Sequence, residues 1–81
     1  MLSMAQQTVL KETRKALHPP VSQENLAHAS GLTLLTYRKA ENGGNISYST
    51  AQAILRALNG YLCAAGKPTV ERVEDLGLNI V

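Results

Sequence analysis

Apolar residues recur at helical spacing through most of the chain, and breaker residues divide the pattern. Residues 4–18 read as a first helix, with Val9, Leu10, Thr13, Ala16 and Leu17 on one stripe and the charges on the other side. Pro19-Pro20 ends it, because proline disfavours helix in the residue before it. Ser22 opens a short second helix. Its hydroxyl can accept from a backbone N–H two or three residues on, and Ser22-Gln23-Glu24-Asn25 is close to a capping box. Leu26, Ala27 and Ala29 give this helix an apolar face. Gly31 closes it, suited to the left-handed conformation at a helix C-terminus. Leu32 follows, and Thr33 caps a third helix through about Glu41.

Asn42-Gly43-Gly44-Asn45 breaks the pattern, and Ser47 or Ser49 caps a fourth helix. Ala51, Ile54, Leu55, Leu58, Leu62 and Ala65 form one stripe that runs straight through Asn59-Gly60, which predicts a single helix to about Ala65. Gly60 costs such a helix about 1 kcal/mol relative to alanine, so a break there is the competing reading. Gly66 and Pro68 stop the helix. Thr69 is placed to cap a last short helix over Val70–Asp75, and Leu78, Asn79, Ile80 and Val81 read as an apolar extended tail.

Composition fits this pattern. The 81 residues include no Trp and no Phe. The apolar material is chiefly Leu and Ala, which lead the helix-propensity scale. The expectation is a single domain over 1–81, all-α, built as a compact bundle of four to five helices. One cysteine, Cys63, excludes an intramolecular disulfide, and with His18 and His28 isolated no metal-ligand set forms. Cys63 reads as a small buried hydrophobe near the fourth helix's stripe. No apolar run reaches the roughly 18 residues of a membrane span, and no secretory leader is visible, so the expectation is a cytoplasmic protein with no membrane partner. No nucleophile–base pair, carboxylate pair or phosphate-binding glycine loop is present, so neither catalysis nor a cofactor is expected. The net charge of +2 is unevenly spread: residues 1–40 carry +3 and residues 41–81 carry −1. That distribution suits a polyanion met by one end, and equally an ordinary solvated surface.

Two short helices joined by a glycine turn occupy residues 22–41, the logic of a helix-turn-helix whose second helix can lie in a DNA major groove. Ser22-Gln23-Glu24-Asn25-Leu26-Ala27, Gly31-Leu32-Thr33 and Glu41-Asn42-Gly43, followed by an amphipathic helix ending Ala57-Leu58-Asn59, resemble the Cro/CI-type (XRE) helix-turn-helix. The resemblance covers about residues 6–60. It implies a bundle of four or five helices that binds double-stranded DNA as a dimer and regulates transcription, as phage repressors and many antitoxins do. It also implies roles. Gln23 matches a glutamine that holds a phosphate and buttresses the recognition helix. Thr33 matches that helix's capping residue, and Leu34 and Leu35 its first exposed positions. Thr36 belongs to the same DNA-facing set. Arg38 and Lys39 face DNA or its backbone, and Asn42 matches an asparagine that reaches a phosphate. Glu41 matches an acidic residue that pairs with an arginine of the first helix, for which Arg14 is the candidate.

Leu34 and Leu35 depart from the family, which usually places hydrogen-bonding side chains there. Three readings follow: methyl packing on T-rich sites, inward packing of one leucine, or a protein partner on an apolar patch. Tyr37 and Tyr48 read as packing residues beside the recognition helix. Residues 61–81 carry too much apolar material for a free tail, so they close the core or form a two-fold interface, and a homodimer through this segment is expected. The function expected is sequence-specific binding to double-stranded DNA by a repressor, as a phage-type regulator or as an antitoxin with a toxin partner. The alternative is a protein-interaction adaptor on the same fold.

Overall fold

The computed structural model describes residues 8–81, so the part of the expected first helix before Thr8 lies outside the described residues. Four helices follow in order: α1 (Val9–Ala16), α2 (Gln23–Ser30), α3 (Leu34–Glu41) and α4 (Tyr48–Ala64). A two-residue strand β1 (Asn45–Ile46) precedes α4; a 3₁₀ turn (Val73–Leu76) and a second short strand β2 (Asn79–Ile80) come after it.

Each helix begins on a hydroxyl. Thr8, Ser22, Thr33 and Ser47 accept from the backbone N–H three residues on, satisfying a donor that has no partner inside the helix. Ser47 rather than Ser49 therefore starts α4. Gly31 takes φ +73° at the end of α2, and the N–H of Leu32 reaches back to the Ala27 carbonyl at 2.9 Å, closing the tight turn into α3.

The core lies between α4 and the other elements. Ala51, Ile54, Leu55, Leu58 and Leu62 of α4 are buried, as their spacing predicted, and join Leu26 and Ala27 of α2, Tyr37 and Ala40 of α3, Leu10 of α1 and Leu17 just beyond it in one core. Gly60 does not interrupt α4, because it sits on the exposed face where a methyl group would meet nothing. Ala27 is small where α2 packs closely on its neighbours.

Several local expectations are corrected. α1 stops at Ala16, short of residue 18, and Val9 and Ala16 are exposed. Its inward face holds a charge instead: Arg14 is buried. Ala29 and Cys63 are exposed, so neither contributes to the core. The last helix is a 3₁₀ turn starting at Val73, with no side-chain cap, and Thr69 caps nothing. The tail is not free: β2 pairs in parallel with β1, Asn79 opposite Asn45 and Ile80 opposite Ile46, and the Val81 N–H donates to the Ile46 carbonyl at 2.9 Å. This ladder is a small addition to an otherwise all-α molecule.

The segment after α4 closes the core. Val73 and Leu76 are fully buried, and Val70, Leu78 and Ile80 pack against them partly exposed. Asn59 holds the connection in place, its amide donating to the Val70 carbonyl and accepting from the Val70 N–H, both at 2.8 Å.

Two substitutions separate these contributions. Leu76→Ala should cost about 2–5 kcal/mol in denaturant unfolding, the range for a truncated core leucine. Gly60→Ala should stabilise by about 0.5–1 kcal/mol, since it adds helix propensity without a clash. A loss below 0.5 kcal/mol for Leu76→Ala would mean that the 3₁₀ turn does not seal the core.

Candidate nucleic-acid interface

The site begins with a buried charge. Glu41 at the end of α3 is 1% exposed. Its carboxylate takes four hydrogen bonds: from Arg14 Nε at 2.6 Å and Tyr37 Oη at 2.7 Å on Oε2, and from Gln23 Nε2 at 2.8 Å and Arg14 Nη2 at 3.3 Å on Oε1. Those bonds use essentially all of its acceptor capacity. Arg14 spends its remaining edge on the Val21 carbonyl at 2.7 Å, fixing the connection between α1 and α2. One carboxylate thus ties together α1, the 17–22 connection, α2 and α3. Among the described residues no buried side-chain polar atom lacks a partner.

The pairing of Glu41 with Arg14 matches the expected one. Tyr37 joining them was missed. The signal was present: Tyr37 lies four residues before Glu41, one turn away on the same helix face. Burial alone would push the Glu41 carboxyl up, but the hydrogen bonds from Arg14, Tyr37 and Gln23 outweigh it and hold the group below the usual carboxylate range. Burial, reinforced by the Glu41 charge, pushes the Tyr37 phenol well above its ordinary value.

Gln23 carries the network outward. Its Nε2 faces Glu41, so its carbonyl oxygen faces solvent and accepts from Arg38 Nε at 3.2 Å. The first residue of α2 therefore braces a side chain of α3. That engagement leaves the two terminal Nη groups of Arg38 without a protein partner among the described residues.

The outward face of α3 gathers most of the expected positions. Leu35, Thr36, Arg38, Lys39 and Asn42 line one shallow depression. Leu35, Arg38, Lys39 and Asn42 follow helical spacing and are all exposed. The stem of Lys39 lies over Gly44, where a methyl group would come within 2.5 Å of Lys39 Cγ, so the glycine admits this approach. Asn42 stands at the C-terminal end of α3. Thr33 sits at the other end with its hydroxyl engaged by Thr36, accepting from its N–H at 3.2 Å and donating to its Oγ1 at 3.0 Å. Gln23 lies beside the face rather than on it. Of the three readings for the leucine pair, the structure shows inward packing of one: Leu34, which the resemblance placed at an exposed position, packs partly buried against the core, while Leu35 is 79% exposed.

No helix among the described residues is long and apolar enough to cross a membrane.

A double-mutant cycle tests the buried cluster. Arg14→Met strands a carboxylate inside the fold and should cost about 3–5 kcal/mol. Adding Glu41→Gln removes the charge while keeping an acceptor for Tyr37, so the double variant should be more stable than Arg14→Met alone. Simple additivity would show the two residues uncoupled.

Stability should follow pH from both ends. Below about pH 4.3 the unfolded chain takes up the Glu41 proton before the folded one does, so stability falls as pH drops through the lowered folded pKa. Above about pH 10 the unfolded chain releases the Tyr37 proton first, so stability falls as pH rises. Thermal melts across pH should lose the first contribution in Glu41→Gln and the second in Tyr37→Phe.

A family model described as a helix-turn-helix matches residues 10–63. No curated protein and no solved structure matches the chain.

Proposed function

The chain belongs to the Cro/CI-type helix-turn-helix family, whose members are DNA-binding transcription regulators, and on that premise we propose that it binds double-stranded DNA sequence-specifically and represses transcription. The observation that carries this reading is the outward face of α3. There Arg38, Lys39 and Asn42 stand exposed around Leu35, on a helix held by the Glu41 cluster.

In this proposal α3 enters the major groove. Arg38 presents its free Nη groups to the acceptors on a guanine edge, O6 and N7, which two parallel donors fit. Lys39, with Lys15 and Lys11 of α1, supplies salt-dependent attraction to phosphates. Gln23 and Asn42 lie at a helix start and a helix end where phosphate oxygens run past. Thr33 and Thr36 complete the leading end of α3. Repression works by occupying the site and blocking polymerase.

Two copies would read half-sites about 34 Å apart on a two-fold-symmetric operator. Val73 and Leu76 are spent on the chain's own core, so a dimer contact through residues 61–81 draws on surface that remains, including Val81 at 77% exposure. The adaptor alternative is less well supported, because Leu34 turns inward and the two leucines do not form one apolar patch.

Selection from a random duplex pool at near-physiological salt tests the proposal. The expected result is a two-fold-symmetric site, bound with a log–log salt slope of about −0.9 per neutralised phosphate. Arg38→Ala should relax preference at one position in each half-site; a uniform loss across sequences would assign Arg38 to a phosphate instead. No enrichment by the folded protein would sink the proposal.

A further inference from the structure

We infer that Leu35 reads the C5-methyl group of a thymine; this rests on the DNA-binding proposal above and names one element of its specificity. Leu35 is the second residue of α3 and the most exposed large apolar side chain among the described residues, at 79%. A lone exposed leucine is ordinary on a protein surface. The surroundings of this one are not. Arg38 and Lys39 follow it by three and four residues, so both cations border the same patch, and Asn42 continues the face one turn further.

A protein partner would need contiguous apolar area at this spot. The structure removes it: Leu34 packs against the core, and the residues lining the depression with Leu35 are Thr36, Arg38, Lys39 and Asn42. One apolar group ringed by polar and cationic ones instead complements a polyanion that offers a small apolar target among acceptors and phosphates. In the major groove that target is the thymine methyl, the one apolar feature by which a base pair differs from the others. Leucine neither donates nor accepts a hydrogen bond, so apolar contact is the attractive readout open to it.

The experiment takes the duplex site enriched by selection and replaces each thymine in turn by deoxyuridine. This deletes the methyl group and leaves every hydrogen-bonding atom in place. Wild type and Leu35→Ala are titrated on each duplex, and thermal melting checks that the variant is folded. The expected result is one thymine per half-site whose replacement weakens wild-type binding about fourfold, the worth of one buried methyl. For Leu35→Ala the same replacement should cost nothing, so the two changes are not additive. The inference is overturned if no thymine shows a wild-type-specific loss, or if Leu35→Ala still distinguishes thymine from uracil; either outcome leaves DNA binding standing. Failure to enrich any duplex removes the DNA-binding proposal and this inference with it.

Discussion

The arrangement of the first three helices depends on one carboxylate. Glu41 is taken out of water at a cost of several kcal/mol, and that cost is met only because Arg14, Tyr37 and Gln23 arrive together in hydrogen-bonding geometry. An apolar side chain there would tolerate many relative positions of α1, α2 and α3. A four-bonded carboxylate tolerates one. The same constraint passes through Gln23 to Arg38, so a buried acid sets the posture of an exposed base without touching it.

Local signals in the sequence located much of this. Ser22, Gly31 and Thr33 mark the boundaries of α2 and α3 because caps and left-handed turns are decided within a few residues. The stripe of α4 is strong enough to override Gly60, whose missing side chain faces solvent. What escaped was decided at long range. The helical pattern alone put Arg14 among the surface charges; only the family resemblance offered it as a partner for Glu41, 27 positions later, whose approach gives it a reason to be inside. The pairing of Asn79–Ile80 with Asn45–Ile46 has too few residues on each side to leave a period-two pattern. Cys63 lies beside the α4 stripe but one position off its inner face, an offset that residue type alone does not reveal.

At the interface the limits were similar. The identity of the α3 face was legible, since Leu35, Arg38, Lys39 and Asn42 recur at spacings of three and four residues, about one helical turn. The division between Leu34 and Leu35 was not. Adjacent helical residues point about 100° apart, so one of the pair had to lie nearer the core. Which one depended on how α3 rolls against its neighbours, and that roll is fixed by Glu41 and Tyr37. The position of Gln23 was legible as a helix start and the resemblance gave it a buttressing role, but the particular carboxylate and guanidinium it bridges were not legible, because both lie on another helix.

The short ladder between β1 and β2 bears on how the molecule folds. The α2–α3 hairpin is built from neighbours in sequence and can form early. Its two flanks are different: Glu41 waits for Arg14, and the turn after α3 waits for residues 79–81, whose Asn79 amide meets Asn45 Oδ1 at 2.5 Å. Closing such loops is entropically costly and slows folding relative to a bundle held by local contacts. Helix α3 is thus clasped by chain from well before and well after it. Fraying of either distant support should therefore be felt at its surface.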